Sequence, residues 1–292
     1  MRLLLVDGHA YAYRAFYAIR QLSSPSGRPT NAIYGFVKML GKLLENLKPT
    51  HCAVIWDGGL APERLAALPE YKAQRPPMPD ALEEQLDGIV EYLHGAAIAS
   101  FCRDGIEADD WIATLACAAA ADGFEVVVAS SDKDFMQLVS PRIGLINPND
   151  KTEAIWKADQ VVNKTGVQPE QIVDWLCLVG DSVDNIPGAP GIGAKTAAQL
   201  LREFGSLEQV FSHLERVTSE RVAGSLRESQ ELLRRNQGLI RLRRDLPVER
   251  SWDDLRVGSP NLEHLRELYA GWGFKTLSKE LEARHAAEPV LL

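Results

Sequence analysis

Acidic residues recur in this chain at the points where short apolar runs end. The run 2–6 closes on Asp7 and the run 51–56 on Asp57, each followed by glycine. A weaker run, 96–101, leads into GIEADD with Glu107, Asp109 and Asp110; a very apolar run, 124–129, leads into SSDKD with Asp132 and Asp134. Further on, GDSVDN carries Asp181 and Asp184, close enough to share one helical face or one turn. Taken singly, each has an ordinary explanation: aspartate before glycine suits a turn, and Asp132 suits a helix N-cap. Taken together they form a set that repels itself unless cations are bound. All-oxygen donors suit hard divalent ions such as Mg2+ or Mn2+, and without a histidine close to the set zinc fits less well. Such a set can hold two ions, which can activate water and stabilise the leaving oxygen of a phosphodiester.

Positioning those acids requires strands that end on one edge. Apolar runs at 2–6, 51–56, 96–101, 124–129 and 142–146 read as buried strands, and periodic stretches at 33–47, 81–93, 107–121 and 132–139 read as helices. The alternation predicts an α/β fold with a mostly parallel sheet covered on both faces, whose site lies beyond the carboxyl ends of the strands. From about Asn163 the strand signal stops and short helices with glycine and proline turns take over. Two domains are expected, 1–163 and 164–292. The proline-rich stretch 61–79 begins and ends with loop signals and has room for one short helix.

Cations accompany the acids. Arg64, Tyr71, Lys72 and Arg75 lie in that proline-rich stretch, where positive groups could hold a scissile phosphate. Gly191-Ile192-Gly193 with Lys195 opens a helix: two glycines let the backbone approach a ligand, and helix-start N–H groups bind phosphate. This reads as a helix–hairpin–helix contact to a DNA backbone, blind to sequence; neither a P-loop nor a dinucleotide fingerprint fits the spacing. A second basic stretch, Arg234, Arg235, Arg241, Arg243 and Arg244, reads equally well as a phosphate track and as a solvated face.

The composition is ordinary for a globular protein, with 46% hydrophobic and 25% charged residues. A net charge of −8 argues against nucleic acid unless the acids are gathered to hold cations. Cys52, Cys102, Cys117 and Cys177 form no C-x-x-C pair and read as buried thiols of a reducing compartment. The first apolar run is too short for a signal peptide or a membrane span, so a cytoplasmic protein is expected.

The motifs VDGHAYAYRAF, PTNAIYGF, YKAQRPPMPD, GIEADD, SSDKDFMQLV and GDSVDNIPGAPGIGAKTA stand in the order found in the 5′ nuclease domain of bacterial DNA polymerase I, a relative of the flap endonucleases. The chain resembles that family from Met1 to about residue 281. The resemblance implies a PIN-like nuclease core with an arch at about 61–80, a C-terminal helix–three-turn–helix domain, and metal-dependent 5′-3′ exonuclease and flap endonuclease activity on 5′ flaps, nicks and 5′ ends, including RNA–DNA primer hybrids. It implies metal-site roles for Asp7, Asp57, Glu107, Asp109, Asp110, Asp132, Asp134, Asp181 and Asp184. Arg14, Tyr71, Lys72 and Arg75 would grip the 5′ strand, with Lys72 and Arg75 catalytic and Arg64 in the same role. Gly191, Gly193 and Lys195 would bind the duplex and hold a K+ ion. Pro62-Glu63 stands where the family commonly has an aromatic before the arginine. A monomer is expected, acting with a separate DNA polymerase and ligase because no polymerase segment follows. A phosphatase using Asp7 as nucleophile would need a second acid two residues later, where His9 stands; a structure-binding module would lack the acids.

Overall fold

The structure, a computed structural model, describes residues 1–150, 152, 154–247 and 251–287. Residues 248–250 and 288–292 of the expected second domain lie outside the described residues. The regular elements are β1 (Arg2–Asp7), α1 (Gly8–Ala18), α2 (Asn31–Leu47), β2 (His51–Trp56), α3 (Pro62–Ala67), α4 (Asp80–Gly95), β3 (Ala99–Cys102), α5 (Ala108–Ala121), β4 (Glu125–Ala129), β5 (Ile143–Ile146), α6 (Ala158–Thr165), α7 (Ile172–Val179), β6 (Gly180–Asp181), β7 (Ile186–Pro187), α8 (Ala194–Phe204), α9 (Leu207–Ser212), α10 (Glu220–Glu228), α11 (Gln230–Ile240), α12 (Leu262–Trp272) and α13 (Lys275–Ala287). They group into two compact units taken from alternating stretches of chain. Met1–Trp56, Met78–Cys102 and the described residues after 250 form the first, and Asp57–Pro77 with the described residues of 103–247 form the second.

In the first unit β1 pairs in parallel with β2, Leu3 opposite His51, and β2 with β3, Ala53 opposite Ala99. Leu3, Leu4, Leu5 and Val6 are all fully buried, so burial does not alternate, as expected of strands covered on both faces. Helices α1, α2 and α4 pack against one another. The buried Gln85 of α4 does for α2 what its N-cap residue Thr30 does not: its Oε1 accepts from Ala32 N at 2.7 Å, supplying one of the acceptors a helix start lacks. Helix α1 is an addition to the elements read from sequence. It starts directly at the end of β1 because Asp7 Oδ1 accepts from Ala10 N at 2.9 Å.

In the second unit β4 pairs in parallel with β5, Val126 opposite Ile143; α5 packs on both, while α7 is packed by α8 and α11. The stretch expected as a short helix after β4 is a 3-10 helix, Lys133–Leu138. Beyond residue 163 the short helices expected from sequence are accompanied by a small antiparallel pair, β6 with β7, Asp181 opposite Ile186. Gly180, at φ +83°, and Gly188 make it possible, since a Cβ on either would strike the backbone of the other. Of the four thiols, Cys52 and Cys177 are buried, Cys117 is half-buried and Cys102 is exposed. Cys102 departs from the buried reading because it is the last residue of β3, past the run that enters the core. Among the described residues no helix is long and apolar enough to cross a membrane.

Candidate metal centre

Three carboxylates meet in the second unit. Asp134 comes from the 3-10 helix after β4, Asp181 from β6 and Asp184 from the turn between β6 and β7. All three are buried, and each places an oxygen within 4.8 Å of the others. Asp132, just before, caps the 3-10 helix by accepting from Asp134 N at 2.8 Å. Burial raises the Asp134 carboxyl well above the ordinary carboxylate value, and Asp132, Asp184 and Asp181 raise it further. Asp132 is raised as well, by burial and by Asp184 and Asp181, against the lowering effect of its bond from Asp134 N–H. Asp134 Oδ1 is buried without a hydrogen-bond partner, a cost on the order of 1–3 kcal/mol for a neutral group and more for a charged one. A hard divalent cation would relieve both the repulsion and the orphaned oxygen, so the residues present fit Mg2+ or Mn2+. The Lys133 ammonium, 3.0 Å from Asp181, is a partner the reading of sequence overlooked, although it stands between the two acids of SSDKD.

A second group surrounds Glu107, where α5 begins. Glu107 and Asp110 are buried against Arg64 of α3, itself only 5% exposed. The guanidinium faces five acceptors: Nε to Leu239 O at 3.0 Å, Nη1 to Glu107 Oε1 and Asp110 Oδ2 at 2.9 Å each, and Nη2 to Asp110 Oδ1 at 2.7 Å and Arg241 O at 3.4 Å. That matches its five N–H groups. The Arg64 guanidinium is thus engaged inside the protein, and Asp110, which also accepts from Arg243 N at 2.9 Å, is engaged with it. The other oxygen of Glu107 meets Lys72 Nζ and, at 3.2 Å, Tyr71 OH. Burial raises Glu107, but Lys72 and Arg64 outweigh it and hold its pKa below the ordinary value. Burial lowers Lys72, but Glu107, Asp109 and Asp184 outweigh it and keep the ammonium charged.

Lys72 adopts a left-handed backbone, φ +56°, which costs a non-glycine residue roughly 1–2 kcal/mol. Its N–H donates to Asp184 O at 3.0 Å, and its Nζ lies 4.0 Å from Asp184 Oδ2. Asn185 Nδ2 donates to Glu70 O at 2.8 Å, a second tie between the same two segments. Arg75 reaches Asp184 Oδ1 at 2.6 Å with a side chain 42% exposed, so like Lys133 it combines contact with the acids and access to solvent. Asp57 is exposed and accepts from Ala108 N at 2.8 Å, closing the start of α5 where Glu107 makes no side-chain cap.

Asp7 and Arg14 lie in the first unit, Asp7 as the cap of α1 and Arg14 exposed along that helix. The hairpin of Gly191, Gly193 and Lys195 is exposed and opens α8; the β6–β7 pair stands between it and α7, where the sequence had placed a helix directly before it. Of the later arginines, Arg234 pairs with Glu208 at 3.2 Å, Arg243 with Glu63 at 2.8 Å, and Arg244 donates to Gln137 O at 3.0 Å.

The raised carboxyls make a prediction. The native state holds more protons on Asp132 and Asp134 than the unfolded chain does above about pH 4, so in chelator their contribution to stability falls as pH rises from there through the raised values. A bound cation removes that loss. The rise in Tm on adding Mn2+, followed by calorimetry, should therefore grow from pH 5 to pH 8; a rise independent of pH would disconnect metal binding from this pair.

An oxygen-only donor set beside lysine and arginine belongs to the class of sites suited to hard divalent cations and to phosphate oxygens. The chain belongs to the 5′-3′ exonuclease family: residues 2–166 match its N-terminal resolvase-like domain and residues 167–263 its C-terminal SAM fold. The 5′-3′ exonuclease of Aquifex aeolicus (strain VF5) is 39% identical over 280 residues, covering 96% of this chain and 95% of that one. The DNA polymerase I of Bacillus caldotenax is 40% identical over 289 residues, 98% of this chain but 33% of that protein, so the chain spans about a third of its length. Among solved structures, the T5 5′-exonuclease with divalent metal ions (zinc) bound matches with a TM-score of 0.68 and 27% identity, over 82% of this chain and 89% of that one. The T5 D15 protein co-crystallised with metal ions matches with a TM-score of 0.67 and 25% identity, over 99% and 100%. The fold expected from sequence, an α/β core of parallel strands with a C-terminal helical domain, agrees with these neighbours.

Proposed function

We propose that this chain hydrolyses DNA phosphodiester bonds near 5′ ends, flaps and nicks, as a 5′-3′ exonuclease and flap endonuclease of primer removal and repair. The observation that carries this is the buried trio Asp134, Asp181 and Asp184 with its orphaned oxygen. Mg2+ or Mn2+, as a pair of ions, would supply a hydroxide nucleophile and Lewis-acid stabilisation there. Asp132, Asp134, Asp181 and Asp184 would hold the metal, with Glu107 and Asp109 beside them and Asp7 and Asp57 in support. Lys72, which stays charged, and the partly exposed Arg75 would donate to phosphate oxygens as negative charge builds. Tyr71, hydrogen-bonded to Glu107 and to Asp184, orients that end of the site, and Arg14 would meet the 5′ strand. Gly191, Gly193 and Lys195 would seat the duplex backbone, with K+ as a further ligand of the hairpin. The protein would work as a cytoplasmic monomer alongside a separate polymerase and ligase, on RNA–DNA hybrids as well as DNA.

The test is cleavage of a 5′-flap duplex, a nicked duplex and a single strand, each with Mg2+, with Mn2+ and with chelator. Cutting at the flap junction that chelator stops is expected. Cutting that survives chelator, or binding to the flap without any cutting, would overturn the proposal.

A further inference from the structure

The glycine hairpin has a neighbour that no motif announces. Gly191 sits at φ +73°, and a Cβ placed on it would collide with Nη1 of Arg221, whose Cζ lies 3.5 Å from the same point. Arg221 belongs to α10, far along the chain. One helical turn later Ser225 Oγ donates to Pro190 O at 2.7 Å, so two successive turns of α10 meet the hairpin. Arg221 is exposed, and among the described residues it has no hydrogen bond or ion pair. The later arginines 234 and 243, by contrast, have carboxylate partners. Beside Arg221, α8 starts with no side-chain cap from Gly193, leaving its first N–H groups open, and Lys195 stands exposed in its first turn. A cation close to the hairpin backbone, next to uncapped amides and a second cation, is an environment suited to a phosphate oxygen.

We propose that Arg221 completes the phosphate seat of the hairpin and contacts the backbone of the duplex part of the substrate. The proposal rests on reading the chain as a DNA nuclease and adds to it a binding residue supplied from another helix. Gly191 itself lacks a side chain for its backbone conformation, φ +73°. Arg221 belongs to substrate binding, since none of its contacts is with the acids of the metal centre.

The test uses the full chain carrying Arg221→Gln and Arg221→Lys, with Ca2+ in place of Mg2+, and reads Kd for a flapped duplex between 50 and 200 mM salt. Arg221→Gln should weaken duplex binding roughly tenfold, the scale of one charge-assisted contact, and reduce the slope of log K against log salt by about 0.9. Arg221→Lys should keep the slope and recover part of the affinity. Binding of a single strand should not change, and the cleavage defect should fall on KM. An Arg221→Gln protein with unchanged Tm, Kd and salt slope would overturn the proposal and leave the nuclease reading intact. A parent protein that binds no duplex at all would overturn both.

Discussion

Replacing Asp134 by asparagine should abolish metal-dependent cleavage and, in the presence of chelator, raise the melting temperature. The two effects have one cause. Asp134 is buried among Asp132, Asp181 and Asp184, its carboxyl is pushed well up by burial and by those neighbours, and one of its oxygens has no partner. An amide of the same shape removes the repulsion, so the protein without metal gains stability. The same change would take away one of the three carboxylates proposed to hold the metal. Lewis-acid stabilisation by a metal contributes several kcal/mol, and each 1.36 kcal/mol is tenfold in rate, so kcat should fall by about 10³ or more. Single-turnover cleavage of a flap and calorimetry in EDTA read the two halves. A lower Tm together with lost activity would make Asp134 a structural residue, and retained activity would take the metal away from this trio.

Arg64→Leu should cost about 3–5 kcal/mol of stability, because it leaves Glu107 and Asp110 buried with their shared partner gone. Arg64→Lys should recover little, since one ammonium cannot replace a fork that meets two oxygens of Asp110 and one of Glu107. Arg64→Leu with Asp110→Leu should recover part of the loss, because removing a buried pair together is cheaper than removing half of it. Urea unfolding of the set gives the numbers. A loss below about 1 kcal/mol for Arg64→Leu would mean the guanidinium is held loosely enough to serve substrate after all.

The strands were the most legible part of the fold. Runs 2–6, 51–56 and 124–129 stand out because strands covered on both faces have no polar alternation to blur them, and α2 stands out by its periodicity. Helix α1 was hidden because residues 8–18 mix small and aromatic residues without a clear apolar stripe; its start is signalled by Asp7, an acid that draws attention for another reason. The β6–β7 pair is two residues long on each side and has no period to read. At the site, residue type and spacing were enough to single out Asp134, Asp181 and Asp184 as acids worth watching. They could not show that Asp110 is committed to Arg64 or that Asp57 closes the start of α5, because those partners are separated along the chain and meet only on folding. Lys133 was overlooked although it lies inside the motif, and Arg221 because it lies in none.

The interleaving of the two units has a consequence for how such a centre can be inherited or divided. Asp132 and Asp134 precede the junction at residues 166 and 167 between the two family domains, and Asp181 and Asp184 follow it. The second unit draws on both sides as well, taking Asp57–Pro77 from early in the chain and α7 to α11 from late in it. Neither family domain therefore carries a smaller version of the centre that could be kept after the other is lost. Each contributes acids that repel one another when brought together, and only the joined chain makes that repulsion useful. The trio of Asp134, Asp181 and Asp184 is therefore complete only where both portions are present on one chain.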